Sequence, residues 1–218
     1  MIEQAAQMLA RLLRLRVTNN VAAEVVGREA STQWLGLETA QLQAMTDEEI
    51  SEHLRRTGPL PEFAVRLGVA IRLLQLESER LTQAGEVGPA QELRATAACL
   101  LLRAHILGVA PELPEFAPKL GELLESIRVG ELPARVGVLL MCHHEHSGQF
   151  GAAEDVLFEL RDTLGYSDWL GELGESFYAR LRLHPQAALA AGNLPREEVG
   201  QGAEEWRSWA ASQRATHR

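Results

Sequence analysis

Little in this sequence favours sheet. Its 218 residues hold only 5 Phe, 4 Trp and 2 Tyr, and no stretch alternates apolar and polar residues as a half-buried strand does. With abundant Ala, Leu and Glu in their place, almost everything ordered is expected to be helix. Positive charge is also short: 21 Lys and Arg against 30 Asp and Glu give a net charge of −9 and a pI near 5.3. Such a field repels phosphate backbones and anionic lipid, which argues against nucleic acid as a partner. The densest basic run, RLLRLR at residues 11–16, has three cations interleaved with leucines. Cysteine is limited to Cys99 and Cys142, far apart in apolar helical patterns. That excludes a disulfide framework and fits two small buried hydrophobes in a reducing compartment. Long apolar runs are missing. Glu3, Gln4, Gln7 and Arg11 interrupt the N-terminal segment, so it lacks the core of a signal peptide, and nothing approaches the ~18 apolar residues of a membrane span. The expectation is a soluble cytoplasmic protein with no membrane partner and no cofactor.

What the sequence does have is helical periodicity with clear punctuation. Ile2, Ala5, Leu9, Leu12 and Leu13 form an apolar stripe on a first helix. A second helix is expected to start after Asn20 and stop before Gly36. TDEE at residues 46–49 reads as a capping box between Thr46 and Glu49. The helix it starts is expected to end at RTGPLP, with Gly58 as its cap and Pro59 and Pro61 as breakers. A long helix over 61–84 carries Phe63, Leu67, Ala70, Ile71, Leu74 and Leu81 on its apolar face. The next, over 89–107, is apolar on most sides, as in a helix buried between neighbours. The proline-rich GVAPELPEFAP that follows reads as a joint between halves. Helices over 118–128, 133–146 and 152–163 come next, then a C-terminal group beginning at SDWLGEL. The four tryptophans, Trp34, Trp169, Trp206 and Trp209, are expected to staple terminal helices to the body.

Two glycine turns match: GEVGPAQEL from residue 85 and GQFGAAEDV from residue 148. They lie about 63 residues apart, close to two hairpins of about 34 residues each. In each, a glycine ends one helix with φ > 0, a hydrophobic residue two positions on (Val87, Phe150) is expected to plug the corner, and a small alanine (Ala90, Ala153) permits close helix approach. The second copy resembles the tetratricopeptide consensus at Gly148, Phe150, Ala153, Leu157 and Leu160. His144 stands where that family usually has tyrosine, and Met141 where it prefers a small residue. More widely, LGLETAQLQAMTDEEISEHLR, HSGQFGAAEDVLFEL and FYARLRLHPQAALAAGNLPREEV, in that order, resemble a family of uncharacterised bacterial tetratricopeptide-like proteins. The resemblance implies an all-α fold, a stack of antiparallel helical hairpins in one domain over 1–218. Terminal helices would occupy 1–58 and 166–218, and hairpins 59–165.

Chemistry-bearing residues concentrate in CHHEH. His143 and His146 are three apart on the predicted helix, within reach of one metal, with Cys142 or Glu145 nearby. The residue three after Glu145 is Gly148, so this is no HExxH zinc helix. The glycine turns lack the lysine and hydroxyl residue of a phosphate-cradling loop, and Ser147 reads as a helix-end residue without a triad around it. The leading expectation is therefore a non-enzymatic interaction module holding a peptide or protein segment in a concave groove. By the repeat register the groove is lined by Arg72, Gln75, Glu79, Thr82 and Gln83 in one hairpin and by Arg135, Val138, Cys142, Glu145 and His146 in the other, with His144 inward. The alternatives are a metal-dependent hydrolase or sensor centred on His143, His144 and His146, and a protein that self-associates as a homodimer through its terminal helices.

Overall fold

The computed structural model describes residues 2–18, 20–59, 62–127 and 132–216. Among the described residues there are twelve α-helices and no strand. The chain divides into two compact units, Met1–Gly130 and Glu131–Arg218. Where the sequence was expected to form one body with its joint at the proline-rich segment, the division falls after residue 130.

The first unit contains α1 (Ile2–Thr18), α2 (Asn20–Ala30), α3 (Thr39–Ala44), α4 (Asp47–Thr57), α5 (Phe63–Gln83), α6 (Val87–Ile106) and α7 (Leu120–Ile127). Its core is the α5–α6 pair. Leu67, Ala70, Ile71, Leu74 and Leu81 are buried on α5, and the run from Ala97 to Leu102 is buried all round on α6. Gly36, at φ 67°, stops the second helical segment as expected, after a final π-helical turn Ser31–Leu35. The capping box of α4 also forms: the Glu49 amide donates to Thr46 Oγ1 at 3.2 Å and the Thr46 amide to Glu49 Oε2 at 2.8 Å. Arg103 of α6 holds the same helix start through Asp47, at 2.6 Å.

Gly58 does not cap α4 in the expected way. Its φ is −149°, extended backbone open to any residue. A β-carbon there would collide with the guanidinium of Arg66. Buried Arg66 donates through Nε to Trp34 O and through Nη1 to Leu54 O, both at 2.9 Å, and through Nη2 to Thr57 Oγ1 at 2.7 Å. The negative ends of two helical segments thus converge on one cation. Pro61, the second expected breaker, lies outside the described residues, as does Arg128, the expected end of α7.

The proline-rich segment packs onto α5. Pro114 is buried, a β-carbon on Gly68 would lie 3.0 Å from its ring, and Phe116 O accepts from Arg72 Nε at 2.8 Å. Burial of a proline and satisfaction of a carbonyl make this stretch part of the first unit's wall.

The second unit contains α8 (Ala134–His146), α9 (Phe150–Leu164), α10 (Asp168–Leu181), α11 (Gln186–Ala191) and α12 (Arg196–Thr216). The α8–α9 pair closes tightly at Gly137, where a β-carbon would meet Leu160 at 2.6 Å. Helices α10 and α12 meet around Trp206. The ring stands where a side chain on Gly174 would have to be, and its Nε1 donates to Gly171 O at 3.1 Å. Trp206 is therefore a buried staple between these two helices.

Both glycine turns have the same backbone. Gly85 (φ 82°) and Gly148 (φ 71°) are left-handed. Glu86 N reaches Leu81 O at 2.8 Å and Gly85 N reaches Thr82 O at 3.1 Å, while Gln149 N reaches His144 O at 2.8 Å and Gly148 N reaches Glu145 O at 3.0 Å. This is the Schellman pairing of a helix end. Ala90 and Ala153 are both buried. The corners differ: Phe150 is 3% exposed, but Val87 is 57% exposed and plugs nothing.

Candidate functional site

Helices α1, α2, α3 and α5 line a half-open pocket of about 430 Å³ in the first unit. That lies within the ~300–1,000 Å³ typical of ligand pockets. Its apolar floor is the periodic face of each helix: Leu12 from α1, Ala23 and Gly27 from α2, Leu42 from α3, and Leu73, Leu74 and Leu76 from α5. Arg16, Glu24, Arg28, Glu38, Glu77 and Arg80 are charged residues of its lining, with Thr39, Gln43 and Gln83 between them.

These charges are unevenly satisfied. Arg80 meets Glu77 in a forked pair at 2.7–3.0 Å, and that bond holds its guanidinium above its ordinary value. Arg16 reaches Glu79 Oε2 by Nη1 alone, at 3.3 Å. Burial pulls the Arg16 guanidinium below its ordinary value; Glu79 and Glu77 oppose this and the like charge of Arg80 adds to it. Arginine remains a cation throughout.

Of the five groove candidates on α5, only Gln83 lines this pocket, and Glu79 touches it through Arg16. Arg72 is turned to Phe116 O and also donates to Gln75 Oε1 at 2.8 Å, which ties up both side chains. Thr82 is exposed, donates to Ser78 O and accepts from Arg94. The other five candidates belong to the second unit, so the two halves of the expected groove are parts of separate bodies.

In that unit Arg135, Val138 and Cys142 are half-buried and His146 is exposed. Burial, then Glu145, push the Cys142 thiol up, and Arg180 pulls it down. Glu145 is covered: Arg180 Nε donates to its Oε1 at 2.6 Å and Nη2 to its Oε2 at 2.7 Å. His143 and His144 stack obliquely at 5.6 Å, and His144 Nδ1 lies 2.7 Å from Gln149 Oε1. Among the described residues no three His, Cys, Asp or Glu side chains are grouped to hold a metal ion.

Sequence reasoning missed a polar contact in the second unit. Glu154 of α9 accepts from Tyr178 Oη of α10 at 2.7 Å, and a β-carbon on Gly202 of α12 would lie 2.5 Å from Glu154 Oε1. Burial pushes the Glu154 carboxyl up; the Tyr178 bond opposes this, and Asp155, Glu198 and Glu205 reinforce it. The pocket was missed as well, because α1 and α2 read as packing helices. The one available signal was Arg16 on the edge of the α1 apolar stripe.

The model of a family of unknown function (DUF6483) matches residues 1–209. Comparison with curated proteins finds no match, and comparison with solved structures finds none.

Proposed function

The chain belongs to that family of unknown function, which supplies no activity to carry over, and from its own geometry we propose that it is a non-enzymatic interaction module. In this reading the hairpins are tetratricopeptide-like and the first unit binds a segment of a protein partner. The apolar-floored pocket carries the reading. It offers buried leucines from three helices beneath a rim of both charge signs, which suits an apolar side chain presented by a polar segment. The matching caps at Gly85 and Gly148, with Ala90 and Ala153 beneath them, support the hairpin kinship.

Gly27 supplies the test. A β-carbon there meets only Leu12, at 3.9 Å, so the backbone of α2 has room for a side chain at this position and Gly27→Leu extends one toward the pocket it lines. Peptides selected on the full chain from a displayed random library should bind Gly27→Leu at least about tenfold more weakly, with the thermal melt retained. Equal binding by a folded Gly27→Leu protein overturns the proposal.

A further inference from the structure

We infer that the segment held in the first unit's pocket carries an acidic side chain beside its apolar anchor, and that Arg16 receives this carboxylate in place of Glu79. The inference rests on the pocket reading above. Arg16 is the pocket cation that is both withdrawn from water and weakly answered. Its side chain is 18% exposed, and its ion pair is the single 3.3 Å contact to Glu79. Charge-assisted bonds of this type are normally about 2.7–2.9 Å, and a guanidinium has five N–H donors in a fork that matches a carboxylate.

The other charges point the same way. Arg80 is already closed by its forked pair with Glu77. The Glu79 side chain is 46% exposed, so water takes it over readily when a better-placed carboxylate arrives. Glu24 and Glu38 remain on the pocket lining for a cationic flank further along the segment.

The experiment uses the selected peptides on the full chain, measured by titration calorimetry. The acidic residue next to the apolar anchor is changed to its amide, and the protein is wild type, Arg16→Gln or Glu79→Gln. The acid-to-amide change should cost about tenfold in affinity on wild type and nothing on Arg16→Gln. Glu79→Gln, which removes the competing carboxylate and leaves Arg16 in place, should bind the parent peptide more tightly. Absence of acidic residues beside the anchor, or an equal loss on wild type and Arg16→Gln, overturns the inference. If Gly27→Leu still abolishes binding in that case, the pocket stands and only the carboxylate fails. If Gly27→Leu binds like wild type, both fail.

Discussion

The guanidinium of Arg66 occupies the space that a side chain on Gly58 would need. This buried cation donates to two backbone carbonyls and a hydroxyl, with the charge of Glu62 acting on it as well. Arg66→Met leaves those acceptors without their charged donor, and a bond of this kind is worth about 1.5–3 kcal/mol. Gly58→Ala pushes the arginine aside, at about 1–3 kcal/mol for overpacking. Urea denaturation should show both losses, and the double variant should lose less than their sum. Strict additivity would mean that the two positions do not compete for one space.

The corners of the two capped hairpins should respond differently to the same deletion. Phe150 is covered by the His184 ring at 4.8 Å and by Gly192, so Phe150→Ala should cost about 3–5 kcal/mol. Val87→Ala, at an exposed corner, should change stability by less than about 0.5 kcal/mol. Comparable losses would restore the equivalence the sequence suggested.

Glu145 and His146, both expected to face an open groove, should separate. Glu145, 13% exposed, is gripped by Arg180 through two bonds, and Glu145→Ala should cost about 1 kcal/mol, the upper end for a surface pair. His146→Ala should cost less than about 0.5 kcal/mol. In a double-mutant cycle the Glu145 effect should vanish in an Arg180→Ala background.

Glu154 should make stability depend on pH. Partial burial holds its carboxyl above the ordinary range, so the folded chain holds that proton more tightly than the unfolded chain. The stabilisation is full below the ordinary carboxylate value and is lost as pH rises through the raised one. Glu154→Gln keeps an acceptor for Tyr178 and removes the titration. Between about pH 4 and neutrality its stability relative to wild type should rise. A constant difference across that range would show that Glu154 titrates as an ordinary surface carboxylate.

The parts legible in the sequence are those decided within one turn of chain. Thr46 and Glu49 specify a capping box from three positions apart, and Gly85 and Gly148 specify left-handed caps because few other residues tolerate that backbone. The helical content follows from the same local information. What escaped notice depends on partners distant in sequence. Gly58 looks like a helix cap until Arg66 crosses it, and Arg72 looks available until Phe116 folds back. Val87 and Phe150 look equivalent until the residues on either side of α11 cover only one of them. The pocket belongs to this second class, since its floor is assembled from four helices whose apolar stripes are individually ordinary.

The Schellman-closed pairs α5–α6 and α8–α9 also bear on how the chain finds its fold. Each joins helices that are consecutive in sequence through a turn of a few residues, so closing it costs little loop entropy. Most of the contact in such a pair is local, and local topology speeds folding. Each hairpin is therefore a natural nucleus for its own unit, and refolding of Ala90→Gly and Ala153→Gly variants should slow by an amount that reflects how early each interface forms.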